Sequence, residues 1–382
     1  GGSSSGSGAA AAANFAMMTM GGETGGSIRV PSAYNALVGL KTSNGLIDPG
    51  GTWPLTAARD VVGPMGKSVS DIAYAMNALV KPTSDNLWKN TPFYPTGGAQ
   101  PGAVGTGLGE GSDPVSVVFT AATGTRPADY TSGLSITALQ GKVIAVPNSV
   151  RGVGTQYDGT VNARVAAKFN EAIKTLQAQG ATIRYVDLPS QQLYFNTIGR
   201  TTGATTVGFN DKFGNPIDYP TTTSGGTSPS GTWSTYANAY YYQKQIESYG
   251  DPTIKNLRDF ANALAAGAAA GAGNPNSTLG GAASNIASLA TVWEQGNAKG
   301  FGDADGDGAL DNPDAQRALQ ALTTVRQQFF NDFMEEQGID AFVAPTMGSV
   351  APLVSAALRD PGVGGSDPFG GGASLIGRYD MN

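Results

Sequence analysis

The chain has 382 residues, which is long enough for a large buried core, and it carries a net charge of -6 with 40% hydrophobic residues. This acidic balance excludes a surface built for a nucleic-acid backbone, and no run approaches the roughly 20 apolar residues that a membrane helix needs. Because histidine and cysteine are both absent, disulfides, thiolate nucleophiles and Ser-His-Asp chemistry are excluded. A hydrolase here must activate its nucleophile with lysine, a carboxylate or another hydroxyl.

Two general features of the sequence indicate where the protein is located and whether its termini are truncated. Charged residues make up 14%, below the roughly 25% usual in soluble domains, which we interpret as an extracellular or periplasmic protein. The chain begins with glycine and stops without a helix cap or polar tail. We therefore expect a single domain over residues 1–382 that is truncated at both ends.

The first part of the chain alternates short helices and strands. Residues 9–20 are rich in alanine and predict a buried helix that runs into a short strand. Residues 21–26 predict a turn, 27–34 a helix, and 38–41 a short strand. After a break at 63–65, residues 68–79 predict a helix whose apolar face carries Ile72, Ala75, Met76 and Leu79.

The remaining elements are separated by loop-rich insertions. Residues 90–135 predict a long surface excursion, and 143–146, 161–179 and 181–188 then predict a strand, a helix and a strand, an order typical of a parallel sheet. Further excursions are expected at 202–234 and 264–281. The other predicted elements are helices at 236–248, 253–265, 282–297 and 314–337, and a strand at 341–344.

Two serine- and glycine-rich runs stand at the start of the chain. The first, GGSSSGSG at residues 1–8, has the composition of a flexible linker, yet it leads directly into the alanine-rich segment. The second, GGSIRVP at residues 25–31, begins 24 positions later. Together the runs resemble the amidase signature family. The resemblance continues through VGLK at 38–41, residues 60–65, LQGKVIAVP at 139–147 and DAFVAPTMGSVAP at 340–352.

This resemblance implies a fold and a catalytic arrangement. The fold is α/β, with a mixed twisted central β-sheet covered by α-helices on both faces. The family's Ser-cis-Ser-Lys triad implies that Ser27 attacks the amide carbonyl, that Ser3 passes protons between Ser27 and a lysine, and that Ser4 supports the geometry. In the family the relay serine follows a cis peptide bond, which here is Gly2-Ser3.

The resemblance also identifies an oxyanion hole and a missing lysine. Backbone N–H groups of Thr24, Gly25, Gly26 and Ser27 are expected to point to one place beside the nucleophile, since glycine permits positive φ and close substrate approach. We interpret Glu23 and Arg29 as a structural ion pair. The family's lysine lies upstream of the first serine run, and none precedes it here, while Lys41 and Lys67 match structural positions.

Three substitutions depart from the family's pattern without touching the nucleophile. Gly22 stands where the family often has threonine, Glu23 replaces the commoner aspartate, and Ser5 replaces a glycine.

Residues 303–314 predict a calcium-binding loop like that of an EF-hand. They place oxygen ligands at positions 1, 3, 5, 7, 9 and 12 and glycine at position 6. The alternative is an acidic connector between helices, but clustered carboxylates in a tight turn repel one another unless a cation neutralises them. Calcium is expected to be structural, and no cofactor is expected for catalysis. The ligands are Asp303, Asp305, Asp307, Ala309, Asp311 and Asp314.

Three functions remain open at this point. The first is an amidase acting on small linear or cyclic amides, with no nucleic-acid or membrane partner, although this chain alone is expected to be inactive. The second is a non-catalytic, calcium-stapled binding or structural protein on an amidase scaffold. The third is an amidotransferase A-type subunit. The sequence indicates neither the amide substrate nor the oligomeric state.

The calcium loop generates a test of thermal stability. Calcium at about ten times its dissociation constant is expected to stabilise the fold by about 1.4 kcal/mol, which raises the melting temperature, and a chelator should reverse the gain. Asp305→Ala should abolish the response, because it removes a ligand oxygen. An unchanged melting temperature with and without chelator would count against the site.

Overall fold

The structure of the chain is a computed structural model. The described residues are 2–42, 46–47, 52–53, 55, 60–80, 127–148, 161–187, 209–210, 216–217, 229–269, 279–300, 312–313, 331–348 and 350. None of the helices in these ranges combines the length and the apolar character needed to cross a membrane.

The N-terminal region is built on an antiparallel sheet of three strands. Its order is β1 (Thr19–Glu23), β3 (Val61–Gly66), β2 (Val38–Gly39). The central strand β3 was not predicted, because the Gly-Pro pair within it indicated a break. Pro64 has no N–H to donate, but its carbonyl still accepts a hydrogen bond from the Leu40 N–H at 3.0 Å, so it keeps part of its pairing.

Three helices pack around this sheet: α1 (Ser5–Ala12), α2 (Arg29–Tyr34) and α3 (Val69–Leu79). Helix α3 confirms the prediction for 68–79 and begins with a capping box. The Ser68 hydroxyl accepts from the Asp71 N–H at 3.1 Å, and the Asp71 carboxylate accepts from the Ser68 N–H at 2.8 Å. Its buried side chains include Ile72 and Met76 from the predicted face.

Two predictions for the first 26 residues were wrong. The helix expected at the start of residues 9–20 instead spans Ser5–Ala12, which begins inside the serine run and ends before Asn14 with its φ of 63°, while the short strand expected after it is present as β1 from Thr19. The expected turn at 21–26 begins three residues later, because Gly21 to Glu23 pair with β3. Glycine has a low strand propensity, but the pairing with β3 outweighs it here. Glycine also fits this position because a Cβ on Gly21 would lie 2.8 Å from the Ser4 hydroxyl.

The predicted strand-helix-strand unit is confirmed as a parallel sheet. Its order is β5 (Thr182–Val186), β4 (Val143–Pro147), β8 (Ala341–Phe342), with α4 (Ala163–Ala178) connecting β4 to β5. Helix α4 packs on the sheet through Ile173, which contacts the buried Val146 of β4. The N-terminal sheet is therefore antiparallel, whereas this sheet is parallel.

A separate helical layer follows, formed by α5 (Pro229–Tyr249), α6 (Leu257–Ala269) and α7 (Leu279–Asn297). The prediction of a loop at 264–281 was wrong at both ends, because α6 continues to Ala269 and α7 begins at Leu279. The three helices bury a common apolar core, which offsets the low helix propensity of their glycines. That core contains Tyr242, Ile246, Leu257, Ala261, Ile286 and Ala290.

Shorter elements lie within the other predicted excursions. A 3-10 helix at Tyr130–Gly133 falls in the 90–135 segment, and the hairpin of β6 (Phe209–Asn210) and β7 (Pro216–Ile217) falls in the 202–234 segment. Of the predicted helix over 314–337, the described part forms α8 (Asp332–Glu336). The rest of that prediction lies outside the described residues.

The close contact between β3 and β2 generates a stability prediction. A Cβ added to Gly63 would lie 2.0 Å from the Leu40 carbonyl oxygen, so Gly63→Ala must push β2 away from the sheet. We expect the free energy of unfolding to fall by about 1 to 3 kcal/mol in urea denaturation. Gly133→Ala is the control, because open space surrounds that position. Equal stability of both variants would contradict this packing.

Candidate active site

The structure brings the two serine runs together. The Ser4 N–H donates to the Ser27 carbonyl oxygen at 3.2 Å, and the Ser4 hydroxyl donates to the Gly22 carbonyl at 3.1 Å. Gly2 lies against α2, where an added Cβ would be 2.5 Å from Cδ of Pro31. The first run is therefore wedged between β1 and the start of α2, beside the expected nucleophile.

Ser3 and Ser27 are both accessible residues, but their hydroxyls are not hydrogen-bonded to each other. Ser3 is exposed and Ser27 is partly exposed, and no hydrogen bond among the described residues joins the two hydroxyls. The expected cis bond at Gly2-Ser3 is also wrong: the bond is trans, and Gly2 instead turns the chain with φ 83°. Direct proton transfer between these serines therefore requires a hydrogen bond between their hydroxyls that the described residues do not show.

A buried carboxylate organises the loop that carries Ser27. Glu23, at the end of β1, is 1% exposed, and its Oε2 accepts from the N–H groups of Ile28 and Arg29, each at 2.9 Å. Its Oε1 accepts from the Arg29 guanidinium, so the predicted structural ion pair is present. These bonds tie the end of the strand to the first turn of α2.

The N–H groups expected to form the oxyanion hole lie between Glu23 and the residues that it holds, Ile28 and Arg29. Gly26 has φ 138°, a conformation that favours glycine, and its carbonyl accepts from the Val30 N–H at 2.8 Å. None of the hydrogen bonds between described residues uses the N–H groups of Gly25, Gly26 or Ser27. The loop thus presents donors without internal acceptors beside a partly exposed serine.

Thr24, the other expected member of the oxyanion hole, is held by its side chain. The pairing of β1 with β3 matches Glu23 to Val61, so the next residues in register are Thr24 and Asp60. The Thr24 hydroxyl donates to Asp60 Oδ1, and the Leu55 N–H donates to Asp60 Oδ2 at 2.6 Å. Asp60 belongs to a block that resembles the family, but no role for it follows from the sequence alone. Only the register of β1 on β3 predicts its contact with Thr24.

Lys67 is not placed to serve the serines. Its Nζ donates to the side-chain oxygen of Asn14, just beyond the C-terminal end of α1. Ser3 precedes the N-terminal end of the same helix, which at 1.5 Å per residue is about 12 Å long. The contact supports the view that Lys67 is structural.

No metal site can be assigned from the described ranges, which contain no cluster of three or more acidic side chains that could hold a cation. The six predicted calcium ligands lie outside those ranges. The calcium loop therefore stays a prediction.

An open cavity of about 610 Å³ lies apart from the serines. It is formed by the end of α2, the first turns of α4 and the segment around Met347. Neither Ser3 nor Ser27 lines it. This cavity is therefore distinct from the candidate catalytic surface.

The burial of Glu23 generates a prediction for loop stability. Glu23→Gln leaves the Arg29 guanidinium buried without its carboxylate, and we expect a loss of about 3 to 5 kcal/mol in the free energy of unfolding. Glu171→Gln is the control, because its pair with Lys168 is solvent-exposed and should change stability by less than about 0.5 kcal/mol. Chemical denaturation measures both. A change for Glu23→Gln as small as for the control would show that the pair does not brace the loop.

Comparisons with known proteins agree on the family. Residues 1–103 match the family model described as Amidase. The A-type subunit of glutamyl-tRNA(Gln) amidotransferase from Staphylococcus saprophyticus is 32% identical over 190 residues, 50% of this chain and 31% of that protein. A putative amidase of Arthroderma benhamiae is 32% identical over 183 residues, 48% of this chain and 25% of that protein. Peptide amidase from Stenotrophomonas maltophilia matches with a TM-score of 0.56 at 23% identity, over 91% of this chain and 52% of that one.

The chain matches only part of the length of these relatives. The matches span about a third of the first relative's length and about half of the peptide amidase. The structural likeness shows a shared α/β fold, as the sequence predicts. The family model covers both serine runs, and together with the 32% identity to the first relative it confirms the predicted resemblance to the amidase signature family.

Proposed function

We propose that this chain provides the nucleophile and the oxyanion site of an amidase that cleaves carboxamide C–N bonds. The observation that carries the proposal is the contact between the two serine runs, made by the Ser4 N–H and the Ser27 carbonyl oxygen at 3.2 Å. This contact sets Ser3 beside a loop whose N–H groups lack acceptors among the described residues. The family match supports the same chemistry.

Ser27 is the proposed nucleophile. Its Oγ attacks the amide carbonyl carbon while its proton passes through Ser3 to a lysine that is not among the 382 residues. The carbonyl oxygen becomes an oxyanion that accepts hydrogen bonds from the N–H groups of Gly25, Gly26 and Ser27, and each such donor is typically worth about 2.7 to 4 kcal/mol.

Collapse of this intermediate breaks the C–N bond, and the nitrogen leaves as ammonia or an amine after taking up the relayed proton. Water then attacks the acyl ester on Ser27. The products are a carboxylic acid and the free serine, so atoms and charges balance.

The proposed substrate is a small amide with a neutral or apolar acyl group, because the chain is acidic overall and offers no basic footprint. The proposed setting is extracellular or periplasmic, with calcium as a structural ion and no catalytic cofactor. The low share of charged residues and the calcium-loop pattern support this setting.

An amidotransferase A-type subunit is the second candidate, favoured by the 32% identity to the Staphylococcus saprophyticus protein. The two functions differ in whether the complete protein needs tRNA and other subunits to release ammonia or an amine. An amidase releases ammonia or amine from a small amide in the absence of tRNA and other subunits. Release that requires both would support the amidotransferase instead.

Labelling with a fluorophosphonate tests the nucleophile in the complete protein. We expect the probe to label Ser27 and Ser27→Ala to abolish labelling, because only an activated serine attacks phosphorus at a useful rate. Ser3→Ala should slow labelling about 100-fold or more through loss of the proton relay. Mass spectrometry of the labelled peptide identifies the residue.

Ser135→Ala is the matched control, since Ser135 is an exposed serine far along the chain, and it should label like wild type. Labelling that persists in Ser27→Ala would reject the nucleophile assignment. A complete protein that neither labels nor cleaves any amide would favour the non-catalytic scaffold.

A further inference from the structure

A continuous hydrogen-bonded route connects the helical layer to the oxyanion loop. The Tyr242 hydroxyl, on α5, donates to the Leu55 carbonyl oxygen at 2.7 Å. The Leu55 N–H donates to Asp60 Oδ2 at 2.6 Å, and Asp60 Oδ1 accepts from the Thr24 hydroxyl. Thr24 immediately precedes the glycines that carry the unused N–H groups, so the route ends at the site itself.

The helical end of this route is firmly held. Tyr242 is 6% exposed and belongs to the core shared by α5, α6 and α7. The Trp53 ring packs against Tyr242 at 5.7 Å and against Phe260 of α6 at 5.4 Å between centroids. Trp53 and Leu55 are thus attached to the helical layer by aromatic contacts as well as by the tyrosine hydroxyl.

The surroundings of Tyr242 keep its hydroxyl protonated, as donation to the Leu55 carbonyl oxygen requires. Burial, together with the nearby Asp60 charge, raises the pKa of Tyr242 to about 12 from its ordinary value of 10.0. The raised pKa keeps the hydroxyl protonated, and its contribution to stability is present below pH 10 and lost as the pH rises towards 12. Tyr242 is therefore a donor at every pH near neutrality.

We propose that Tyr242 is a positioning residue for the oxyanion site. It fixes Leu55, which orients Asp60, which holds Thr24 and so aims the following N–H groups. The inference rests on the proposed amidase function and extends it, because it places a determinant of catalysis on a helix far along the chain from the nucleophile. Tyr242 touches no substrate and acts only through the loop.

Tyr242→Phe tests this role, because it removes the hydroxyl and keeps the ring in the aromatic core. We expect kcat to fall about tenfold with KM unchanged within about twofold, since a misaimed donor weakens transition-state binding more than substrate binding. The rate of fluorophosphonate labelling should fall to the same extent.

Tyr249→Phe is the matched control. Tyr249 lies on the same helix and stacks on the same Trp53 ring, but its hydroxyl accepts from the Gln245 side chain at 2.5 Å instead of reaching Leu55. This variant should retain wild-type kcat and labelling. A tenfold loss in both variants would indicate general damage to α5 and overturn the proposal.

A double-mutant cycle with Thr24→Val separates positioning from simple packing. If Tyr242 acts through Thr24, adding Tyr242→Phe to Thr24→Val should change kcat by less than about twofold. An undiminished tenfold effect in that background would overturn the proposal, as would wild-type kcat in Tyr242→Phe.

One readout does not depend on turnover. The backbone amide NMR resonances of residues 24–26 should shift in Tyr242→Phe and remain unchanged in Tyr249→Phe. Unchanged resonances in both would overturn the positioning role. Absence of wild-type labelling would instead reject the amidase function, so the two failures can be told apart.

Discussion

The buried carboxylate of Glu23 is the constraint on which the site depends. A carboxylate that is 1% exposed must be paired and hydrogen-bonded, because an uncompensated buried charge costs several kcal/mol. Glu23 meets this demand with the Arg29 guanidinium and the N–H groups of Ile28 and Arg29. The chain between β1 and α2 must therefore bend back on itself, and none of the hydrogen bonds between described residues uses the N–H groups of the two glycines in the bend.

A second constraint, the register of β1 on β3, places the other side of the loop. Pairing of Glu23 with Val61 sets Thr24 opposite Asp60, whose two oxygens reach Thr24 and Leu55. Glu23 thus fixes the exit of the loop into α2, and Asp60 fixes its entry from β1. A loop held at both ends loses little entropy when an oxyanion binds, which is the condition for strong electrostatic stabilisation.

The elements predicted correctly from the sequence are those specified by local signals. The helix predicted over 68–79 and the strand-helix-strand unit around α4 need only neighbouring residues, and the serine runs carry the resemblance to the family. Strand β3 escaped prediction because its Gly63-Pro64 pair indicates a break unless the partner strand is known. The contact of Tyr242 with Leu55 spans 187 residues, and no local pattern specifies it. The positions of the Ser3 and Ser27 hydroxyls likewise depend on backbone geometry that motif spacing does not determine.

The two halves of the proposed chemistry are therefore unequally developed in the described structure. The loop that is proposed to bind the oxyanion is held between β1, β3 and α2 by the hydrogen bonds of Glu23 and Asp60. On the side of proton transfer, Gly2-Ser3 is trans, and the Ser3 and Ser27 hydroxyls are not hydrogen-bonded to each other among the described residues. Since general acid-base catalysis typically contributes about 10²- to 10⁴-fold, a hydrogen bond between the Ser3 and Ser27 hydroxyls is the contact that the proposed amidase mechanism still needs.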